Sequence, residues 1–137
     1  MGNISVQNVD LGSIFLLSSE VAFNADTLDV PANTTYQEGL ILARTAATGR
    51  LVAFNAGGSG GAEIPKTVLS YDVENATAGL VQTPVRVAVT AKVRKQRLRI
   101  GAAATDDTGV TKAVQDQLRD YGIKPVNVTD LSVLDNQ

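Results

Sequence analysis

Residues 85–100 hold the longest regular pattern in the chain, and this pattern restricts the fold more than any other feature. The odd positions from 85 to 93 are all apolar. The polar positions between them include Arg86, Thr90, Lys92 and Arg94. Alternation with a period of two places apolar side chains on one face of a β-strand and polar side chains on the other. A β-rich protein is therefore predicted.

The alternation changes phase at Lys95. Polar residues continue at odd positions with Arg97 and Arg99, whereas Leu98 and Ile100 are apolar at even positions. A slip of one residue moves every following side chain across the sheet, so a bulge or tight bend is predicted near residues 94–96.

Basic residues crowd onto this same segment. They are Arg86, Lys92, Arg94, Lys95, Arg97 and Arg99. They can form a solvated strand face, a docking patch for an acidic protein surface, or a surface that neutralises phosphates. No aromatic side chain lies between them to stack on nucleic-acid bases, so we predict a charged docking patch. A small β-sheet nucleic-acid-binding domain that uses strand 86–99 is the alternative.

Charge is distributed unevenly along the 137 residues, although the net charge is only -2. Residues 1–40 carry a net -5, residues 41–100 carry +6, and residues 101–137 carry -3. An acidic, basic and acidic order allows one part of a molecule to dock on another part of a neighbour.

Two further patterns predict a hairpin and a helix. Apolar runs at 40–44 and 50–54 flank Gly49, which predicts a hairpin, and a third strand is expected at 67–73. A helix is predicted over 109–121, with its N-cap supplied by Asp106, Asp107 and Thr108 and with Gly122 following its end. A final strand is expected around Ile123 and 126–128.

The predicted class is α+β and β-rich, with a small mixed sheet or barrel-like core and one C-terminal helix.

The first 30 residues alternate only weakly and read as an extended N-terminal arm. Its apolar positions Ile4, Val6, Val9 and Leu11 change phase between Val6 and Val9. Such a segment is suited to pairing with a partner rather than to forming a core. We therefore divide the chain into an arm (1–30), a β-rich domain (31–125) and a C-terminal strand and tail (126–137).

Missing residue types exclude most enzyme classes. The chain has no Cys and no His, so it has no thiol nucleophile, no imidazole base and no conventional zinc site. Carboxylate pairs such as Glu63 with Asp72 or Glu74 could serve glycosidase chemistry, but nothing in the sequence places them in a cleft. No cofactor, metal or catalytic residue is predicted, and no membrane segment is expected.

The order of these elements resembles the head decoration proteins of tailed bacteriophages, the lambdoid capsid-stabilising family. The likeness covers about residues 30–125. It rests on GLILAR at 39–44, TGRLVAF at 48–54, the glycine-rich loop that follows, the alternating strand, and LRDYGI at 118–123.

The resemblance implies a structural virion protein without enzyme activity. Family members typically form trimers on the expanded capsid, and their N-terminal arm pairs with strands of the major capsid protein. The expected partners are therefore the major capsid protein and two further copies of this chain, with nucleic acid and membrane not expected. The expected location is the capsid exterior, after synthesis in the bacterial host cytoplasm.

Overall fold

The computed structural model describes residues 14–16 and 21–127. The strands are β1 (Ala22–Val30), β2 (Thr34–Tyr36), β3 (Ile41–Arg44), β4 (Leu51–Ala53), β5 (Thr67–Val68), β6 (Val73–Asn75), β7 (Val81–Arg94) and β8 (Ile123–Val126). A 3-10 turn follows β7 at Lys95–Arg97, and α1 spans Lys112–Asp120.

Six strands form one mixed sheet in the order β5-β3-β4-β1-β7-β8, and β2 pairs with β6 in a small second sheet. The large sheet is mixed because β1 runs parallel to β4 and β7 runs parallel to β8, whereas its other neighbours are antiparallel. The predicted β-rich α+β class is confirmed. The sheet stays open, and no closed barrel forms in the described part of the chain.

The predicted hairpin is confirmed as β3 and β4, with Leu42 opposite Ala53 and with Gly49 at a φ of 74°. The predicted third strand divides instead into β5 and β6, which join different sheets.

Two hydrophobic clusters cover opposite faces of β3. The first, here called the strand core, consists of Leu28, Val30, Tyr36, Leu40, Leu42, Leu51, Leu69, Val73, Val85 and Val87. The second, here called the helix core, consists of Ile14, Phe15, Ile41, Ala43, Phe54, Val68, Ala88, Ala91, Val93, Leu98, Val110, Val114, Leu118 and Ile123. Neighbouring residues of β3 thus enter different cores, which explains why its sequence is continuously apolar.

A β-bulge at Val89 interrupts β7 within the stretch that looks regular in the sequence. Ala22 of β1 pairs with Thr90, whereas the next residue, Phe23, pairs with Ala88. Val89 is therefore an extra residue without a partner on β1, and one extra residue reverses the alternation of side chains.

The bulge sends the apolar residues of β7 into both cores. Val85 and Val87 pack in the strand core, whereas Ala91 and Val93 pack in the helix core. The prediction that the odd residues share one face is wrong for this reason. Val89 itself is 46% exposed.

The predicted bend near residues 94–96 is confirmed as the 3-10 turn. It takes the chain out of the sheet and returns it to the helix core at Leu98, which is fully buried. The change of phase at Lys95 thus marks the end of β7, whereas the bulge within β7 leaves no trace in the pattern.

The helix begins later than predicted, at Lys112, and it ends at Asp120. Its N-cap is Thr111, whose side chain accepts a hydrogen bond from the backbone N–H of Val114. The prediction of a cap at residues 106–108 is wrong, because Asp106 accepts instead from the N–H and hydroxyl of Thr108 in a separate turn.

Residues 22–30, which the sequence assigns to the end of the arm, form β1 inside the large sheet. β1 pairs with β7 along its whole length and contacts β4 where Leu28 faces Leu51. Leu28 and Val30 are fully buried in the strand core. The weak local alternation conceals this strand because its partners are remote in sequence.

Gly122 joins the end of the helix to the bulge. It follows Tyr121 at a φ of 93°, and its carbonyl accepts a hydrogen bond from the N–H of Ala91. A Cβ atom at this position would collide with the carbonyl oxygen of Val89. The backbone of the helix terminus therefore lies directly against the bulge.

Gly122→Ala is predicted to destabilise the protein more than Gly101→Ala. Gly101 has a similar φ of 89°, but a Cβ there meets no atom within 4 Å. Gly101→Ala should lower the free energy of unfolding only by the cost of placing alanine in the left-handed conformation, roughly 1–2 kcal/mol. Gly122→Ala should cost about 2 kcal/mol more, because the carbonyl of Val89 must move. Urea denaturation of both variants measures the difference, and equal losses would contradict the close approach.

Candidate interaction surface

The bulge separates the bases of β7. Arg86 alternates with Val85 and Val87, so it leaves the sheet on the side of the helix core. There its guanidinium carbon lies 4.9 Å from the ring centre of Phe23. This stacking contact also covers part of the exposed ring of Phe23.

Lys92 and Arg94 leave the sheet on the opposite side, because they alternate with the helix-core residues Ala91 and Val93. Lys92 lies directly opposite Lys124 of β8. We call Lys92, Arg94 and Lys124 the basic sheet face. Like charges at directly opposite positions of two strands repel each other.

The remaining three predicted bases lie beyond the end of β7. The Nζ atom of Lys95 is 2.8 Å from the Oδ2 atom of Asp107. Arg97 and Arg99 line an open polar pocket of about 260 Å³ together with Gln37, Glu38 and Asp72. The structure therefore distributes the six bases over both faces of the sheet, this pocket and the ion pair with Asp107, rather than over one continuous patch.

Residues 14–16, here called the arm root, are fastened along the end of β7. The N–H of Leu16 donates to the carbonyl of Lys92 at 3.1 Å, and the N–H of Arg94 donates to the carbonyl of Ile14 at 2.8 Å. Phe15 forms the corresponding antiparallel bridge with Val93. Residues 14–16 are therefore an extended segment that is held in place by β7.

Buried side chains reinforce the arm root. Ile14 is fully buried in the helix core, and the ring of Phe15 packs edge-on against Phe23 with centroids 5.6 Å apart. The predicted arm residues Ile4, Val6, Val9 and Leu11 lie outside the described residues.

Proline and hydroxyl groups protect the sheet edges near this segment. Pro125 lies in the edge strand β8 and has no N–H to offer. On β7, the N–H of Arg86 donates to the Tyr71 hydroxyl at 3.2 Å, and the Ser70 hydroxyl donates to the Arg86 carbonyl at 2.9 Å. The N–H and carbonyl groups of Arg86 would otherwise be free to bind a further strand, so these edges are poor templates for strand addition.

A second open pocket, of about 160 Å³, contains an ion pair between β1 and β3. Arg44 donates to both carboxylate oxygens of Asp26, at 3.1 and 2.6 Å. This hydrogen bonding lowers the pKa of Asp26 and raises the pKa of Arg44. At the rim, the Nζ atom of Lys66 lies 3.9 Å from the ring centre of Tyr121. Sequence patterns did not reveal this pair, because Asp26 had been assigned to the arm.

Within residues 14–16 and 21–127, no group of three or more acidic side chains is arranged to hold a metal ion. No helix in that same part of the chain is long and apolar enough to cross a membrane.

The family model described as Bacteriophage lambda head decoration protein D matches residues 4–123. The chain belongs to this family. The match confirms the predicted resemblance, and it also includes the predicted arm from Ile4 onward. No curated protein matches the chain.

Membership in the head decoration family implies a capsid decoration role in a bacteriophage. The family consists of structural proteins of the phage capsid, and the corresponding location is the capsid of the virion.

Asp26→Asn is predicted to weaken the pH dependence of stability. Because Arg44 lowers the pKa of Asp26 below its ordinary 3.8, the pair stabilises the fold above that pH. This contribution is lost as the pH falls from 3.8 through the lowered pKa. It should not exceed about 1 kcal/mol, because 42% of the Arg44 side chain is exposed and water screens the pair.

Denaturant unfolding at pH 7 should give a higher free energy of unfolding for wild type than for Asp26→Asn. Below the lowered pKa this difference should disappear. Asp116→Asn is the control, because Asp116 pairs with Arg119 at 2.8 Å in a far more exposed position. A difference in free energy of unfolding between wild type and Asp26→Asn that persists unchanged in acid would contradict the stabilising role of the Asp26–Arg44 pair.

Proposed function

We propose that this decoration protein is a cement protein, which binds the major capsid protein of the expanded head and stabilises the capsid as a homotrimer. The observation that carries the proposal is the anchored arm root, which directly follows the first 13 residues in the sequence. The family match supports it further, since that match begins at Ile4 inside the arm.

The arm binds by adding a strand to a sheet of the capsid protein. Strand addition uses mainly backbone hydrogen bonds, so it requires little from side chains and tolerates the irregular phase of Ile4, Val6, Val9 and Leu11. The arm root supports this mode because it is already extended and paired with β7. The protected edges near it favour a strand partner in another protein over the sheet of this chain.

Charge assists assembly. The basic sheet face attracts acidic surfaces, and residues 1–40 of each copy carry a net charge of -5. Complementary charges accelerate encounter and select the orientation of docking more than they increase affinity. We therefore assign the basic sheet face to guiding the protein onto the capsid or onto neighbouring copies.

Stabilisation of the capsid follows from preferential binding of the protein to the expanded lattice. A protein that binds only the expanded lattice shifts the equilibrium toward that lattice by mass action. A trimer binds through three arms at once, so modest individual contacts sum to strong attachment.

Deletion of residues 1–12 is predicted to abolish capsid decoration while the domain stays folded, because the deletion ends before Ile14. Loss of several backbone hydrogen bonds at roughly 1 kcal/mol each should weaken binding by at least about 100-fold. Sedimentation with expanded heads, followed by quantification of bound protein, measures this. Full binding by the truncated protein would refute the arm hypothesis.

A matched pair of full-length variants separates backbone from side-chain contributions. Val6→Pro with Val9→Pro removes two backbone donors, whereas Val6→Ala with Val9→Ala retains them. Strand addition predicts a much larger loss of binding for the proline pair. Equal losses would indicate that side-chain burial, not strand pairing, holds the arm.

A further inference from the structure

We propose that Glu38 is a positioning residue, whose carboxylate holds the arm root and so sets the direction in which the arm leaves the domain. This inference rests on the proposed function of the arm. It assigns a role to a side chain that lies 24 positions away from the segment it binds.

The contact is made to the backbone of the arm root. The Oε2 atom of Glu38 accepts a hydrogen bond from the N–H of Ile14 at 3.2 Å. The carbonyl of the same residue accepts from the N–H of Arg94 at 2.8 Å. Both backbone groups of Ile14 are thus bound, and its side chain is fully buried. Ile14 is therefore held in one orientation.

Glu38 is itself held rigidly. Its N–H donates to the Oδ1 atom of Asp72 at 2.8 Å. The next residue, Gly39, donates from its N–H to the carbonyl of Leu69 at 2.8 Å and accepts from the N–H of Arg99 at 2.9 Å. A carboxylate on a backbone fixed at three points can serve as a stationary anchor.

The conformation of Gly39 explains how the chain brings Glu38 so close to the arm root. Gly39 has a φ of 94°, and a Cβ atom there would collide with the carbonyl oxygen of Arg97. The Cδ1 atom of Ile14 lies 3.7 Å from the same Cβ position. The glycine therefore lets this part of the chain approach both the 3-10 turn and the arm root closely.

Charge favours the contact. Glu38 lines the polar pocket together with Arg97 and Arg99. A hydrogen bond from a backbone N–H to an ionised carboxylate is stronger than one between neutral groups. An arm held in its binding direction loses less freedom when it binds, so positioning increases affinity without adding a contact to the partner.

The test compares Glu38→Ala with the conservative variant Glu38→Gln in the full chain. Loss of the acceptor should accelerate hydrogen exchange of the Ile14 amide by about tenfold or more in Glu38→Ala. The amide of Leu118 in α1 should exchange as in wild type, which shows that the domain remains intact. Glu38→Gln should exchange like wild type, because its amide oxygen can accept the same bond.

Binding to expanded heads provides the second measurement. Glu38→Ala should bind about tenfold more weakly if the lost bond frees the arm root, and Glu38→Gln should bind normally. Unchanged exchange at Ile14 in Glu38→Ala would overturn the proposal. So would faster exchange with unchanged binding, provided that deletion of residues 1–12 abolishes binding. Full binding by that deletion would instead refute the arm function, while the exchange data would still decide whether Glu38 holds the arm root.

Discussion

The long strand β7 holds this domain together, and the extra residue at Val89 is what allows it to do so. β7 pairs with β1 along one edge and with β8 near its end, and the arm root continues along it beyond the start of β1. A regular strand would present its apolar side chains to a single core. The bulge lets the first half of β7 close the strand core and the second half close the helix core. Gly122 then seats the end of α1 against the bulge itself.

The same bulge shapes the proposed docking surface. It places Arg86 on one side of the sheet, and it places Lys92 and Arg94 on the other, beside Lys124. The protein thus presents a compact basic face near the arm root rather than a stripe of charge along the whole strand. Protected edges at Pro125 and around Arg86 limit strand pairing there, which is consistent with an arm that finds its partner elsewhere.

Local patterns predicted the elements that depend on local physics. The hairpin at β3 and β4, the bend after β7, Gly122 at the helix end and the β-rich class were all predicted from spacing and turn residues. The bulge was not, because Val89 is apolar and keeps the alternation unbroken in the sequence. β1 was also missed as a core strand, since it pairs along its whole length with β7, which lies more than 50 positions away in the sequence. The cap at Thr111 was misplaced because Asp106 is an equally good turn former in sequence.

The candidate site was predictable only in part. The family and the basic segment follow from sequence order, whereas the contact between Glu38 and Ile14 depends on a tertiary approach. Hydrogen exchange of residues 4–11, with and without expanded heads, tests the central claim most directly. Strand addition by the arm predicts strong protection of alternate amides in this segment upon binding. Bound protein whose residues 4–11 exchange as fast as in the free protein would contradict it.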